Sequence, residues 1–275
     1  MLYIVATPIG NLEDITLRAL RVLKEADLIA AEDTRHTKTL LTRYDIHVPL
    51  TSYHEHNERV KARELVARLE RGQNVALVSD AGTPTLSDPG YRLVRDALKA
   101  AIRVVPVPGP SAVTAVLSVS GLPTDRFVFE GFLPAKKGER KARLHNLVGE
   151  ARSLVFFEAP HRIRDTLGDM LEHFGDREVV LAREATKAYE EFLRGRLSVI
   201  SAALAAREPR GEFTVVVRGS ETAPLPSQEF LLAEIRKLKG KGLRVKEIAE
   251  LLSERYSCSK KEVYRLAVES LKTGP

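Results

Sequence analysis

Residues 75–84, VALVSDAGTP, and residues 2–11, LYIVATPIGN, decide the fold. Each stretch begins with a short apolar run and then breaks into small, polar and proline residues. Near-continuous apolar strands that alternate with helices are typical of a parallel sheet covered on both faces. Runs of the same kind occur at Leu28–Ala31, Pro49–Tyr53 and Val104–Val107. The sequence therefore predicts an α/β fold that starts with an N-terminal domain over residues 1–121.

Small, polar or turn-forming residues follow all five of these strands. The segments are TPIGN, EDTR, HEHN, SDAGTP and PGPSA. Glycine and proline fix unusual backbone conformations and let a ligand approach the main chain. Because ligands bind beyond the carboxyl ends of strands in open parallel sheets, we expect a cleft at this edge. The sequence lacks the phosphate-loop, dinucleotide-binding, nucleophile-elbow and zinc-protease signatures.

Start and stop signals for helices lie between the strands. Asn57 is expected to cap a helix that stops at Gly72. Asp88 followed by Pro89 predicts a helix with proline at its first position. Ser111 is expected to open a helix of small residues.

The strand and helix pattern resumes after residue 121. Strands are predicted at Phe127–Phe132, Leu154–Phe157, Val179–Ala182 and Phe213–Val217, and helices over 138–150, 161–174 and 198–206. This pattern predicts a second α/β domain with a mixed sheet over residues 122–221, which closes the cleft. The segment Thr222–Ser227, TAPLPS, is typical of a linker. Residues 228–275 then form a small helical tail, compatible with a helix-turn-helix.

Composition excludes several protein classes. The chain has 275 residues, of which 44% are hydrophobic and 29% charged, so a disordered or fibrous protein is excluded. No apolar run approaches the ~20 residues of a membrane span, and the N-terminus lacks the pattern of a signal peptide. The only cysteine is Cys258, which excludes an internal disulfide. We expect a cytoplasmic protein that does not enter a membrane.

The positive charge is concentrated in two segments. Residues 134–152 hold six Lys or Arg and two Glu, and residues 228–275 hold eleven Lys or Arg and seven Glu. The whole chain has a formal net charge of +6, but the residues outside these two segments include 26 basic and 28 acidic ones and are therefore nearly neutral. Such a distribution is either the footprint of a polyanionic partner or a solvated basic surface, and charge alone leaves both open.

Eight segments, in this order along the chain, resemble a known family. They are YIVATPIGNLEDITLRAL, AEDTRHT, SYHEHN, LVSDAGTPTLSDPG, PVPGPSA, FFEAPHRI, REATKAYEE and RGEFTVVV. Together they resemble the tetrapyrrole methylase superfamily, and more narrowly its branch of small-subunit (16S) ribosomal RNA cytidine 2′-O-methyltransferases. The resemblance covers residues 1 to about 219, and the helical tail is similar to the C-terminal domain of that branch. It implies a homodimeric enzyme that binds S-adenosylmethionine between its two α/β domains and acts on 16S rRNA in the small ribosomal subunit.

The cofactor positions of the superfamily carry over onto individual residues. They are Ile9, Ala81, Gly82, Thr83, Leu86, Ser111, Ala112, Glu158, Ala185, Phe213 and Thr214. Thr83 stands where the superfamily has an aspartate, so the nearby Asp80 is a further candidate for that polar contact. The small side chains in this set would let main-chain amides and carbonyls reach the cofactor.

A base that accepts the hydroxyl proton would assist methyl transfer. His54 is the candidate, because it lies where a strand is expected to end. Asp33 and Glu184 complete the candidate catalytic residues. Asp33 would orient the substrate ribose, or it forms an ion pair that caps a helix. His54 and His56 with Asp33 could also bind a metal, but no third ligand is fixed by the spacing and no metal is expected.

Candidate RNA-binding residues lie in three parts of the chain. They are Arg35, Arg162 and Lys187 near the cleft, Lys136, Lys137, Arg140 and Lys141 in the first basic segment, and Lys260, Lys261 and Arg265 in the tail. The alternatives for these residues are structural ion pairs near the cleft and a mobile surface loop at the basic segment.

Two other functions compete with rRNA methylation. The first is C-methylation of a tetrapyrrole such as a precorrin or uroporphyrinogen, which the same fold performs; the two basic segments argue against it. The second is a nucleic-acid-binding protein without catalysis. Binding of S-adenosylmethionine to the purified protein would exclude the second.

Overall fold

The computed structural model describes residues 1–221, 228–256 and 258–272. The predicted linker at Thr222–Ser227 lies outside the described residues. Within them the chain forms two five-stranded sheets and a group of three helices, in that order. This is the predicted α/β arrangement.

The first sheet is entirely parallel, with strand order β3-β2-β4-β1-β5. Its strands are β1 (Leu2–Val5), β2 (Leu28–Ala31), β3 (Leu50–Ser52), β4 (Val75–Val78) and β5 (Val104–Val107). Five helices connect or follow them: α1 (Leu17–Glu25), α2 (Thr34–Arg43), α3 (Glu58–Glu70), α4 (Tyr91–Lys99) and α5 (Ala112–Ser118). Strands β2 and β4 are buried along their whole length, as their uniformly apolar sequences predict.

The second sheet is mixed, with strand order β6-β7-β10-β8-β9. Its strands are β6 (Phe127–Phe132), β7 (Ser153–Glu158), β8 (Glu178–Arg183), β9 (Glu191–Arg196) and β10 (Phe213–Val217). Only β6 and β7 run parallel; the other pairs are antiparallel. The helices are α6 (Lys137–Leu147), α7 (Ile163–Phe174) and α8 (Leu197–Ala205), which pack through Leu144, Leu167 and Leu197 into the core beneath this sheet.

Two elements differ from the sequence prediction. Strand β9 was not predicted, because its residues EFLRGR lie at the sheet edge and lack a buried apolar run. Asp88 and Pro89 do not start a helix: α4 begins at Tyr91, and its N-terminal cap is Gly90 at a φ of +144°. Only glycine adopts that backbone angle without strain, so the residue after the Asp-Pro pair sets the start of the helix.

The tail consists of α9 (Gln228–Gly240), α10 (Val245–Tyr256) and α11 (Lys260–Lys272). They share a small core that includes Ile235, Ile248, Leu252 and Val263. At the start of α11 the Ser259 hydroxyl accepts a hydrogen bond from the Glu262 main-chain amide at 3.4 Å, which caps the helix. No helix in the described parts of the chain is long and apolar enough to cross a membrane.

Candidate functional site

A cavity of about 350 Å³ lies between the carboxyl edge of the first sheet and the second sheet. Its volume falls in the usual range for a small-molecule site. The wall from the first sheet is formed by Ile9, Ala81, Gly82, Thr83, Leu86, Ser87, Asp88, Ser111, Ala112 and Val113. The wall from the second half is formed by Phe132, Phe157, Glu158, Ala159, Pro160, Ala182, Ala185, Glu212, Phe213 and Thr214.

The loops after β1, β4 and β5 are tied together on the first wall. Thr7 and Gly82 exchange main-chain hydrogen bonds of 2.9 and 3.0 Å, which join the loops after β1 and β4. The Thr83 hydroxyl donates to the Pro110 carbonyl at 3.3 Å, which joins the loops after β4 and β5. Gly82 has a φ of +82°, a conformation that favours glycine, so the turn depends on this residue.

The second wall combines aromatic rings with one buried carboxylate. The rings of Phe132 and Phe157 lie 5.7 Å apart between their centroids, at the ends of β6 and β7. Glu158 is only 2% exposed. Its carboxylate accepts hydrogen bonds from the Thr166 hydroxyl at 2.6 Å and the Ala159 amide at 2.8 Å. Glu158 therefore fixes the end of β7 against α7.

The cavity wall contains eleven of the twelve residues predicted to bind the cofactor. The twelfth, Asp80, is not among the lining residues. Its carboxylate accepts a hydrogen bond from the Asp33 amide at 2.9 Å, and this contact holds it at the neighbouring strand end. The structure therefore does not place Asp80 where it would replace the family's aspartate.

None of the three candidate catalytic residues lines the cavity. His54 lies in the loop after β3, and its Nε2 is 3.2 Å from the side-chain nitrogen Nδ2 of Asn57. The carboxylate of Asp33 caps α2 and pairs with Arg35 at 2.8 Å. The helix-capping ion pair named above is thus the arrangement that the structure shows, and it holds the pKa of Asp33 well below its usual range.

Glu184 and Lys187 form a local ion pair beside the cavity. Their charged groups are 2.9 Å apart, and Lys187 also contacts Glu212 at 3.1 Å. Burial would raise the pKa of Glu184, but hydrogen bonds from the Glu212 amide and Lys187 lower it overall. Lys187 is therefore engaged with two carboxylates.

Carboxylates crowd the first sheet edge next to the cavity. Burial raises the pKa of Asp88 to about 7, and the negative charges of Glu32 and Asp80 add to that effect. Burial and the neighbouring Asp80 also raise the pKa of Glu32. The sequence analysis assigned Asp88 to a helix start and not to the cavity wall, because an Asp-Pro pair commonly begins a helix. Gly90, directly after this pair, is the residue that indicates a turn there instead. The described residues contain no group of three or more His, Cys, Asp and Glu that could hold a metal ion.

The structure corrects one predicted RNA contact outright. Arg140 is 3% exposed, and its guanidinium donates to the Asp169 carboxylate at 2.7 Å, between α6 and α7. A buried arginine in such a pair cannot reach an RNA phosphate. Arg162 is also engaged within the protein: its guanidinium donates to the Leu133 carbonyl at 2.6 Å and contacts Glu158 at 3.3 Å.

The other basic candidates lie at or near the surface. Lys137, Lys261 and Arg265 are exposed, and Arg35 is exposed beside Asp33. The ammonium groups of Lys136, Lys141 and Lys260 are within 2.6 to 3.1 Å of carboxylates of Glu139, Glu172 and Glu250. Exposed pairs of this kind are weak, so these lysines can exchange a carboxylate for a phosphate at little cost.

A sequence profile described as Tetrapyrrole (Corrin/Porphyrin) Methylases matches residues 1–201. The chain belongs to this family. It is 47% identical over 272 residues to a protein of Synechocystis sp. named Ribosomal RNA small subunit methyltransferase I, covering 98% of both chains. Family membership and the ribosomal RNA branch were both expected from the eight sequence segments, and these matches confirm them.

Two further proteins match most of the chain but not all of it. A Thermotoga maritima protein with the same name is 52% identical over 220 residues, which are 80% of this chain and 99% of that protein. A solved cobalt precorrin-4 methyltransferase of cobalamin biosynthesis has a TM-score of 0.60 at 17% identity, covering 79% of this chain and 94% of its own. Each of these comparisons leaves about a fifth of this chain unmatched, and the family profile ends at residue 201.

Proposed function

We propose that this protein transfers a methyl group from S-adenosylmethionine to the ribose 2′-hydroxyl of a cytidine in 16S rRNA, within the small ribosomal subunit. The observation that carries the proposal is the full-length similarity to proteins named Ribosomal RNA small subunit methyltransferase I. The cleft between the two sheets, at the edge where ligands bind in parallel sheets, supports it. A ribosomal substrate would place the activity in the cytoplasm.

The residues of the cavity fit S-adenosylmethionine. Ala81, Gly82, Ala112 and Ala185 leave the main chain open to the cofactor's polar groups, while Phe157 offers an apolar surface to its adenine. Ser111, Thr83 and Thr214 add hydroxyls for the ribose and the amino acid part. When bound, the cofactor supplies a methyl group that its sulfonium has already activated.

The task of the protein is then to position the substrate and exclude water. A ribose oxygen must lie in line with the activated methyl, which requires fixed walls and not a flexible cleft. The bonds between Thr7 and Gly82 and between Thr83 and Pro110 fix the first wall, and Glu158 fixes the second. We propose that a homodimer is the functional form, as the family resemblance implies.

We further propose that the exposed lysines of α6 and the tail contact the RNA backbone. The shorter relative from Thermotoga maritima carries the same name, so the tail adds affinity to an activity that the body performs. Lys136 and Lys137 at the start of α6 belong to the shared body and are exposed. They are our principal candidates for phosphate contacts.

The salt dependence of RNA binding tests this assignment. Each lost phosphate contact should reduce the slope of log K against log salt by about 0.7 to 0.9. We expect the double variant Lys136→Gln, Lys137→Gln to lower the slope by about 1.5 in binding titrations with small ribosomal subunits. The matched control, Lys24→Gln with Lys99→Gln, changes two exposed lysines elsewhere on the body and should leave the slope unchanged. An unchanged slope in the first double variant would remove α6 from the RNA interface.

Tetrapyrrole C-methylation is the second candidate, because the solved enzyme with the same fold is a precorrin methyltransferase. Incubation with labelled S-adenosylmethionine and either small ribosomal subunits lacking the modification or uroporphyrinogen separates the two. We expect label in the RNA and none in the tetrapyrrole. Label in the tetrapyrrole alone would reverse the assignment.

A further inference from the structure

Strand β6 carries a bulge just before its last residue. Phe129 lies opposite Val155 of β7. Three residues later Phe132 lies opposite Phe157, which is only two residues after Val155, so Glu130 is an extra residue in β6. Successive side chains of a strand point to opposite faces, and one inserted residue therefore moves Phe132 to the other face of the sheet. Bulges next to active sites commonly redirect a side chain in this way.

The aromatic rings show the result of this change of face. The centroid of the Phe157 ring is 4.9 Å from that of Phe129 and 5.7 Å from that of Phe132, so both β6 rings lie on the same side of the sheet. Phe132 and Phe157 both line the cavity, but Phe157 is partly buried whereas Phe132 is 55% exposed. Phe157 thus lies inside the cavity, and Phe132 lies at its mouth.

The backbone that carries Phe132 is held on both sides. Before it, Arg143 of α6 donates hydrogen bonds of 2.7 and 2.9 Å to the carboxylate of the bulge residue Glu130. After it, the Leu133 carbonyl accepts a hydrogen bond of 2.6 Å from Arg162. An exposed ring on such a fixed backbone is already ordered, so a flat group that stacks on it loses little binding free energy to ordering the protein.

Gly131 brings the bulge into contact with the first wall of the cavity. Its φ of +64° is a conformation that favours glycine, and a Cβ on it would lie only 2.8 Å from the Ser87 hydroxyl oxygen. Ser87 itself lines the cavity in the loop after β4. The bulge therefore places the Phe132 ring beside the first wall, where a planar group that enters the mouth would meet it.

Phe132 also lies close in the chain to the basic start of α6. Lys136 and Lys137 are exposed, and they follow Phe132 by four and five residues, a stretch that spans at most about 18 Å. An RNA strand whose phosphates contact these lysines can therefore place a nearby base at Phe132. Proteins that bind unpaired RNA commonly stack its bases on aromatic side chains.

We propose that the base of the target cytidine stacks on Phe132. The ring replaces the neighbouring bases that the cytidine loses when it leaves the RNA stack, and it holds the nucleotide with its ribose directed into the cavity. Phe132 is then a substrate-binding residue, and Phe157, deeper in the cavity, remains the ring available to the cofactor. This role deepens the proposed function and rests on it, because it requires an RNA substrate.

The test measures kcat/KM for methylation of small ribosomal subunits that lack the modification. In Phe132→Ala we expect it to fall by about 10- to 100-fold, the loss typical of removing one base stack. Phe132→Trp keeps a ring and should stay near the wild-type value, whereas Phe132→Leu keeps an apolar side chain without a ring and should resemble Phe132→Ala. Phe127→Ala is the matched control: Phe127 is 40% exposed at the other end of β6, does not line the cavity and should not affect the rate.

Two further readouts separate a base stack from other roles of Phe132. The affinity for S-adenosylmethionine, measured by calorimetry, should be the same in Phe132→Ala and the wild type. The affinity of Phe132→Ala for small ribosomal subunits should fall by the same factor at every salt concentration, because a stack on a neutral ring releases no counterions. The double variant of Lys136 and Lys137 should instead change the salt slope.

Each contrary outcome overturns a specific claim. A wild-type kcat/KM in Phe132→Ala would refute the stack. A wild-type value in Phe132→Leu would make the side chain an apolar cover and not a stacking platform. A loss of cofactor affinity in Phe132→Ala as large as its loss of activity would assign the ring to the cofactor. These three results leave the proposed function intact, whereas a wild type that methylates uroporphyrinogen and no RNA refutes both proposals.

Discussion

Replacement of Ala112 by tryptophan should weaken binding of S-adenosylmethionine by about 10- to 100-fold. Ala112 is the first residue of α5 and lines the cavity of about 350 Å³, so an indole there would occupy space that the cofactor requires. Forcing extra volume into a packed site costs about 1 to 3 kcal/mol, and 1.4 kcal/mol corresponds to a tenfold change in affinity. Isothermal titration calorimetry measures the change directly.

A matched control lies two residues further along the same helix. Thr114 is exposed and does not line the cavity, so Thr114→Trp introduces the same side chain without filling the site. We expect it to bind the cofactor as the wild type does. If Ala112→Trp also bound with wild-type affinity, the cofactor would have to bind outside the cavity between the sheets.

Arg140→Ala should lower the free energy of unfolding by about 3 kcal/mol, because it leaves the buried Asp169 carboxylate with only the more distant Lys141 ammonium at 3.8 Å. The two side chains are 4% and 7% exposed, so water cannot replace the lost hydrogen bond. Urea denaturation followed by circular dichroism measures the loss. Lys137→Ala, three residues away on the surface of α6, should change stability by less than about 1 kcal/mol.

The double variant Arg140→Met, Asp169→Leu tests whether Arg140 forms a structural ion pair or contacts RNA. Replacing both partners by apolar residues of similar size removes the unpaired charge, so stability should return to near the wild-type value. RNA affinity should also be unaffected, since neither side chain reaches the surface. A stable Arg140→Ala protein with weakened RNA binding would instead support the contact that the sequence predicts.

The position of the cavity was predictable from the sequence because it depends on local signals. Strand ends followed by Gly, Pro and small polar residues mark the carboxyl edge of a parallel sheet. This signal does not depend on how distant parts of the chain fold. The family resemblance then named residues such as Ile9, Gly82 and Thr214, which the structure places on the cavity wall.

What the sequence did not predict depends on long-range partners. Arg140 belongs to a basic run, so its sequence context predicts a surface residue. In the structure it is buried because Asp169, 29 residues away in the sequence, pairs with it. Strand β9 is a polar edge strand that only its pairing with β8 reveals. Asp88 acquires its raised pKa from burial and from the carboxylates of Glu32 and Asp80, which other strands bring to the same edge.

The proposed chemistry is tested most directly by identifying the methylated nucleoside. Small ribosomal subunits lacking the modification are incubated with the purified protein and S-adenosylmethionine, and the 16S rRNA is digested to nucleosides and analysed by mass spectrometry. Our account predicts a single product, cytidine methylated on its ribose oxygen, that is absent when Ala112→Trp replaces the wild type at limiting cofactor. A methyl group on the base, on another nucleoside, or on no RNA at all would contradict it.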